Sequence, residues 1–286
     1  MNHLKGKPVA DKLANEIGKK IIKLYEKNVL PTIAIIRVGE NPGDIAYENG
    51  AEKRAKALGM KVEKFICDQG IAEDELIAVI DFINNNNSIH GVLLLQPLPA
   101  GIDSDKVRNA IAKEKDIDCI SDASLADFFI KEDYDFAPCT AESAMKILEH
   151  YDIDPAGKKA VVIGRSMVIG RPAALMLMRK NASVTICHSK TPKEDLMKYC
   201  KDADIIVAAA GKLNTVTPEH LSDNQVIIDV GINFTEEGKM TGDVDFDAIE
   251  KASAAQGVTP VPGGVGSVTN TVLMNHLLEA AIKQSE

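Results

Sequence analysis

The chain alternates short segments rich in β-branched residues with longer segments of helical periodicity, and this alternation restricts its possible folds more than any other feature. Residues 8–27 repeat apolar residues at helical spacing, with charges on the opposite face. The segments that follow are, in chain order, 32–38 (strand), 43–58 (helix), 61–67 (strand), 73–84 (helix) and 90–95 (strand). Strands joined by helices imply a parallel sheet with right-handed crossovers.

A second series of the same kind begins near residue 159. Its predicted elements are 159–163 (strand), 171–180 (helix) and three further strands at 183–187, 205–209 and 226–230. No internal repeat relates the two series, so we predict an α/β protein of two domains with an interdomain cleft. Residues 1–139 form the N-terminal α/β substrate domain, residues 140–269 form a Rossmann-like domain, and the helix 270–286 packs back on the first domain. The cleft is the expected site for a small substrate.

The charge balance and the apolar patterning exclude several classes of function. The 286 residues include 42 acidic and 33 basic side chains, and the formal net charge of -9 leaves no basic surface for a nucleic-acid backbone. Apolar runs fall far short of the roughly 18 residues of a membrane helix, and the N-terminus has no apolar signal segment. The five cysteines form neither a disulfide nor a zinc pattern. We therefore expect a cytoplasmic protein without a metal, whose partners are neither nucleic acid nor membrane.

One strand–turn–helix segment has a pattern typical of dinucleotide binding. Gly164 directly follows the predicted strand 159–163, and Gly170 lies where the next helix starts. At such a position backbone amides and the helix dipole favour a pyrophosphate. The spacing departs from G-x-G-x-x-G, so an ordinary strand–turn–helix is the alternative interpretation.

The end of the next predicted strand bears on the choice between NAD and NADP. NAD enzymes typically have a ribose-binding carboxylate there, whereas this chain has His188, Ser189 and Lys190. Arg165 and Ser189, with Lys190 as a further candidate, would clamp a 2′-phosphate. We therefore predict an NADP-binding domain, and we interpret His188 as a structural or phosphate-side residue.

Six short segments follow one another along nearly the whole chain: 38–42 (VGENP), 115–118 (KDID), 136–140 (FAPCT), 162–166 (VIGRS), 187–191 (CHSKT) and 259–266 (TPVPGGVG). In this order they resemble successive signatures of the methylenetetrahydrofolate dehydrogenase/cyclohydrolase family. The resemblance implies oxidation of 5,10-methylenetetrahydrofolate with NADP, followed by hydrolysis of the methenyl product to 10-formyltetrahydrofolate. It also implies tetrahydrofolate derivatives as partners, a homodimer, and a site between the domains.

The resemblance also assigns roles to individual residues. Tyr47 and Asp118 are implied to be catalytic and to hold the folate, Asp118 by paired hydrogen bonds to the pterin edge and Tyr47 by ring contact. A capping or solvated Asp and a core Tyr are the alternative interpretations. The further implied substrate contacts are Gln96, Pro262, Gly263 and Gly264. The implied cofactor contacts are Gly164, Arg165, Ser166, Ser189 and Ile232.

The chain departs from the family pattern on the helix that carries Tyr47. The family has a Lys four residues after this Tyr, on the same helix face, where the amine assists proton transfer. The corresponding residue here is Ala51, and Gly59 matches the family without a gap, which argues against a register shift. Lys53 and Lys56 lie on other faces of the helix, so neither is an obvious substitute.

A second group of departures lies near the other site segments. The family Gln that tunes the missing Lys is replaced by Leu95, and Gln96 beside it should point to the opposite face of the strand. Cys119 replaces the Gly that usually follows the KDxD motif, and Ser267-Val268 replaces Pro-Met. These departures cluster around one side of the implied chemistry, and the loss of the Lys need not abolish hydride transfer.

Three hypotheses follow for the function. The first is an NADP-dependent methylenetetrahydrofolate dehydrogenase with weak or absent cyclohydrolase activity, because hydride transfer depends on alignment whereas hydrolysis needs proton transfer. The second is the fully bifunctional enzyme, with water or another residue replacing the Lys. The third, from another class, is a catalytically silent folate- or dinucleotide-binding protein, which any formation of NADPH would exclude.

Overall fold

The computed structural model describes residues 1–285, which form two compact α/β units. Residues 1–11 and 138–269 form the first, called here the six-stranded unit. Residues 12–137 and 270–285 form the second, called here the three-stranded unit. The predicted α/β class with two domains is confirmed.

Helices and strands alternate along most of the chain. In chain order they are β1 (Asn2–His3), α1 (Gly6–Glu26), β2 (Thr32–Val38), α2 (Pro42–Ala57), β3 (Lys61–Cys67), α3 (Glu73–Asn84), β4 (Gly91–Leu94), α4 (Ser104–Asn109), α5 (Asp122–Ile130), α6 (Cys139–His150), β5 (Lys159–Ile163), α7 (Gly170–Arg179), β6 (Ser183–Cys187), α8 (Lys193–Asp202), β7 (Ile205–Ala208), β8 (Val226–Asp229), β9 (Asn233–Phe234), β10 (Met240–Thr241), α9 (Phe246–Ala252), β11 (Gly257–Val258) and α10 (Gly266–Gln284). Single 3₁₀ turns occur at Lys113–Lys115 and Pro218–His220.

The three-stranded unit is built on a parallel sheet of order β3-β2-β4. Every residue of the central strand β2 is buried, as expected for a parallel strand covered on both faces. Helix α3 contributes Leu76, Ile80 and Ile83 to the core, and their spacing places all three on one helix face. The outer strand β3 is half exposed along its length.

The six-stranded unit has the order β1-β11-β8-β7-β5-β6, and every neighbouring pair is parallel. The chain runs from β5 to β6 on one side, then crosses to β7 on the other side of β5. The direction of winding therefore switches between β5 and β7. In open parallel sheets, ligands bind at the carboxyl ends of the strands beside such a switch.

Most predicted elements match the structure, with one difference in the division of the chain. The predicted helix 270–286 corresponds to α10, which ends at Gln284, and residue 286 lies outside the described residues. Residues 270–285 belong to the three-stranded unit with residues 12–137. Residues 1–11 were expected in that unit but belong to the six-stranded one, because β1 adds to the edge strand β11 and the Gly6 N–H donates to the carbonyl of Gly263 (2.8 Å). Within residues 1–285, no helix is long and apolar enough to cross a membrane.

Candidate active site

Two glycines shape the loop that joins β5 to α7. Gly164 has a φ of +136°, and a Cβ atom there would lie 2.2 Å from the carbonyl oxygen of Ala209, just after β7. A Cβ atom on Gly170, the first residue of α7, would lie 2.4 Å from the carbonyl oxygen of Gly164. Neither position has room for a side chain, so the loop closes tightly at the switch between β5 and β7.

The side chains predicted to contact the cofactor are exposed beside this loop. The Gly164 N–H donates to the carbonyl of Cys187 (2.9 Å), which brings the loop next to the turn that carries Ser189. Arg165 and Ser189 are both exposed, and no carboxylate occurs at residues 188–190. These features fit a dinucleotide with a 2′-phosphate, because the tight loop accepts a diphosphate and the guanidinium and hydroxyl suit a phosphate.

Two further predicted cofactor residues, Ser166 and Ile232, are also exposed. Ser166 is exposed, and its Oγ accepts the N–H of Ile169 (3.3 Å) just before α7 begins. Ile232, which follows β8, is 62% exposed. His188 holds the neighbouring turn, since its N–H donates to Oγ1 of Thr191 (3.0 Å) and its Nδ1 accepts the N–H of Lys190 (3.2 Å).

A buried carboxylate that the sequence analysis did not identify holds the loop after β7. Asp243 accepts the backbone N–H groups of Ala210 (2.6 Å), Gly211 (2.9 Å) and Lys212 (2.8 Å). Asp229, at the end of β8, in turn accepts the Asp243 N–H (3.0 Å), and burial raises the pKa of Asp229 to about 7. The two acidic residues therefore fix the segment that lies against Gly164.

In the three-stranded unit, α2 and the segment after β4 carry two of the predicted substrate contacts, Tyr47 and Gln96. Oδ1 of Asn41 caps α2 by accepting the Gly43 N–H (2.8 Å), and the half-buried Tyr47 follows in the second turn. Because β2 and β4 are adjacent and parallel, the start of α2 and the exposed Gln96 lie at the same edge of the sheet. Leu95 is 5% exposed, so the two adjacent side chains differ in burial, and both lie beyond the last residue of β4.

The position of the missing lysine is completely enclosed. Ala51 is 0% exposed, and a Cβ atom on the preceding Gly50 would lie 3.0 Å from Nδ2 of Asn270 on α10. Of the two lysines that follow on α2, Lys53 is exposed, and the Lys56 ammonium pairs with Glu52 (2.6 Å). The turn of α2 that follows Tyr47 thus packs through small residues.

A charged group that the sequence patterns did not predict follows Tyr47 on α2. Glu48 is 4% exposed, and its two oxygens accept from Nε of Arg37 on β2 (2.6 Å) and from the Lys64 ammonium on β3 (2.8 Å). Lys64 also pairs with Glu52. Burial alone would raise the pKa of Glu48, but the hydrogen bonds from Lys64 and Arg37 hold it below its ordinary value.

Asp118 lies in a segment that is anchored on both sides. It is half-buried and follows Ile117, whose side chain packs on Gly91 so closely that a Cβ atom on this glycine would lie 2.7 Å from it. Gly91 is the first residue of β4, whereas Gln96 lies beyond its last. Cys119, in place of the family Gly, has a φ of +55°, which explains why glycine suits that position.

The remaining predicted substrate contacts lie in the six-stranded unit. Pro262 and Gly263 are exposed and Gly264 is buried. A cavity of about 460 Å³ in the same unit is lined by none of the predicted site residues; its lining includes Lys193, Asn214, Glu219, His220 and Asp245. Residues 1–285 contain no group of three His, Cys, Asp or Glu side chains able to hold a metal ion.

Two family models match almost the whole chain. The model of the tetrahydrofolate dehydrogenase/cyclohydrolase catalytic domain matches residues 4–118, and the model of the corresponding NAD(P)-binding domain matches residues 138–285. The bifunctional protein FolD of Alkaliphilus oremlandii is 44% identical over 98% of this chain and 96% of its own. The protein of the same name from Carboxydothermus hydrogenoformans is 43% identical over 97% and 96%.

Solved structures agree with these matches. The bifunctional FolD enzyme of Campylobacter jejuni has a TM-score of 0.94 and 36% identity, with 99% of both chains covered. The FolD enzyme of Trypanosoma brucei, solved with NADP and an inhibitor, has a TM-score of 0.92 and 30% identity, covering 98% of this chain and 96% of its own. The predicted cofactor NADP agrees with the matched NAD(P)-binding domain and with this complex. The chain belongs to the tetrahydrofolate dehydrogenase/cyclohydrolase family.

Proposed function

We propose that the protein oxidises 5,10-methylenetetrahydrofolate to the 5,10-methenyl form with NADP, and that it hydrolyses the methenyl product only weakly. The observation that carries the second part is the apolar, enclosed state of the two positions where the family has its Lys and Gln. Ala51 is 0% exposed and Leu95 is 5% exposed, and neither side chain can move a proton. Positioned proton transfer contributes about 10² to 10⁴ in rate.

Hydride transfer makes different demands on the chain. Bound NADP supplies the hydride acceptor, so the protein has to bind and align two partners and exclude water. In this proposal the glycine loop and Arg165 bind the cofactor, and Pro262, Gly263 and Gly264 contribute backbone contacts to the folate. Tyr47 and Gln96 contact the pterin rings, and Asp118 accepts hydrogen bonds from the pterin edge. None of these roles requires an amine at position 51.

The fully bifunctional enzyme is the second candidate, and the names of the relatives favour it. Proteins called bifunctional FolD are 40–44% identical over nearly the full chain. On this hypothesis another group supplies the proton transfer. The two candidates differ in one measurable quantity, the rate at which the purified protein removes methenyltetrahydrofolate.

The test compares NADPH formation with methenyl loss in the native protein and in designed variants. We expect NADPH formation at an ordinary rate and slow methenyl loss. Ala51→Lys should recover part of the hydrolysis, and Ala51→Lys with Leu95→Gln should recover more than the sum of the single changes. Ala51→Met is the matched control, because it adds similar bulk to an enclosed position without an amine. Fast native hydrolysis, insensitive to these changes, would establish the bifunctional candidate, and absence of NADPH formation would leave only a silent binding protein.

The preference for NADP over NAD follows from Arg165. Charge-assisted hydrogen bonds contribute about 1.5–3 kcal/mol, or roughly ten- to a hundredfold in affinity. Arg165→Ala should therefore weaken NADP binding by that factor and leave NAD binding nearly unchanged. Arg171→Ala removes another exposed arginine nearby and serves as the control. Equal binding of NAD and NADP by the native protein would contradict this assignment.

The homodimer that the resemblance implies has a suitable surface in the three-stranded unit. Strand β3 pairs with β2 on one side only, and its Ile66 is 58% exposed. Unpaired strand edges with apolar residues readily pair with another chain. We propose a second copy of this chain as the partner of this edge. Light scattering should give twice the chain mass for the native protein and the single mass for Ile66→Lys, and a monomeric native protein would overturn the proposal.

A further inference from the structure

Lys115, the first residue of the KDID segment, is buried in an unusual environment. It is 3% exposed, and its ammonium donates to the carbonyl oxygens of Ile83 (2.7 Å), Asn84 (2.9 Å) and Asn86 (2.9 Å). Ile83 and Asn84 are the last two residues of α3, where backbone carbonyls carry partial negative charge, and Asn86 lies two residues beyond the helix. The cation therefore ties the start of the segment to the end of α3.

The same helix end holds the segment a second time. The Asn84 side chain donates from Nδ2 to the carbonyl of Ala110 (2.7 Å) and accepts the Ala112 N–H at Oδ1 (3.0 Å). The chain leading into Lys115 is thus attached to α3 by hydrogen bonds from both partners. The approach to Asp118 cannot shift without breaking several of them.

The residues around Asp118 are fixed equally well. The Asp116 carboxylate accepts the N–H groups of Ile120 (3.1 Å from each oxygen) and Ser121 (2.8 Å). The carbonyl of Ile117 accepts a hydrogen bond from Nδ1 of the buried His276 on α10 (2.8 Å). Asp118 therefore lies in a short segment whose neighbouring residues are held by hydrogen bonds on both sides.

From this arrangement we propose that Lys115 is a positioning residue that sets the location of the Asp118 carboxylate. The proposal rests on the folate-binding role assigned to Asp118 above. All three ammonium protons of Lys115 are directed at carbonyl oxygens, so its charge serves the end of α3 and not the substrate. Paired hydrogen bonds to a planar ring edge tolerate little displacement, and a shift of about 1 Å can cost up to a hundredfold in rate.

The principal variant is Lys115→Met, which keeps the length of the side chain and removes its donors. We expect a KM for methylenetetrahydrofolate raised about tenfold, with the Kd for NADP unchanged. Lys113→Met is the matched control, since Lys113 lies in the same turn but pairs with Asp127 and Asp135 instead of α3. It should leave the folate KM within about twofold of the native value.

A double variant separates positioning from general stability. Asp118→Asn alone should raise the folate KM strongly, and adding Lys115→Met to it should raise the KM no further, because the carboxylate being positioned is gone. The melting temperature should fall by the same amount in both backgrounds. If Lys115→Met is too unstable to purify, Asn84→Ala breaks the second attachment and should give the same pattern at smaller size.

Each outcome decides one of the two claims. A KM effect of Lys115→Met that disappears in the Asp118→Asn background supports the positioning role. A loss of melting temperature without a KM change, or an equal KM effect in both backgrounds, overturns it while the role of Asp118 stands. An Asp118→Asn protein with native KM overturns the proposed role of Asp118 and the inference with it.

Discussion

Replacing Glu48 by Gln tests the buried ion pairs that connect β2, α2 and β3. The substitution keeps the shape of the side chain and removes its charge, which leaves Arg37, whose side chain is 9% exposed, without a carboxylate partner. Removing one member of a buried pair costs about 3–5 kcal/mol. Lys64 is 28% exposed and keeps Glu52 as a partner, so we place the loss at the lower end, about 3 kcal/mol.

Urea unfolding followed by circular dichroism measures this loss. With a slope of about 2 kcal/mol per molar urea, the midpoint of Glu48→Gln should fall by about 1.5 M at pH 7. The control is Glu52→Gln. The Glu52 side chain is 21% exposed, so removing its charge should lower the free energy of unfolding by at most about 1 kcal/mol.

The same experiment at low pH checks the physical cause. The pKa of Glu48 is lower in the folded protein than in the unfolded chain. Its charged carboxylate therefore makes its full contribution to the free energy of unfolding at any pH above the ordinary glutamate pKa of about 4.3. That contribution disappears as the pH falls through the lowered folded value. The difference between native and Glu48→Gln protein should therefore shrink below about pH 4. A midpoint no lower than that of Glu52→Gln at pH 7, or a difference independent of pH, would refute the reasoning.

Three further perturbations test other parts of the structure. Hydrogen bonds from Lys131 and Lys113 lower the pKa of the buried Asp127 to about 2. Asp127→Asn should therefore lower the free energy of unfolding by about 1–2 kcal/mol at pH 7 and by little near pH 2. Unfolding measured at the two pH values checks this. Gly164→Ala should abolish NADP binding in calorimetry, because the added Cβ would overlap the carbonyl of Ala209. Gly211→Ala is the control: its Cβ would meet open space, and at a φ of +64° it should cost only about 1–2 kcal/mol of backbone strain. Oγ1 of Thr259 accepts the Asp229 N–H (2.7 Å) in the core. Thr259→Val should lower the free energy of unfolding by about 1–3 kcal/mol, whereas Thr259→Ser should keep most of the native stability. Equal losses in the two variants would contradict this role.

Local patterns predicted much of the fold, whereas interactions between distant segments escaped prediction. The β-branched run of β2 and the periodicity of α3 are properties of neighbouring residues, and the glycines at 164 and 170 report backbone constraints directly. Nothing local in the sequence pairs Glu48 with Lys64. The four asparagines at 84–87 likewise predict only a loop. The carbonyls of Asn84 and Asn86 gain a role through Lys115, about thirty residues later.

The discontinuity of the two units has a consequence for synthesis on the ribosome. The three-stranded unit includes α10, whose Leu273, Met274 and Leu277 are 0% exposed, and these residues are synthesised well after residues 12–137. The six-stranded unit joins residues 1–11 to residues 138–269, and about 250 residues separate β1 from its partner strand β11. Residues 1–137 alone therefore contain neither unit complete, unlike the N-terminal domains of many multidomain proteins, which fold first during synthesis. Truncation at residue 138 should yield two incomplete fragments rather than two autonomous domains.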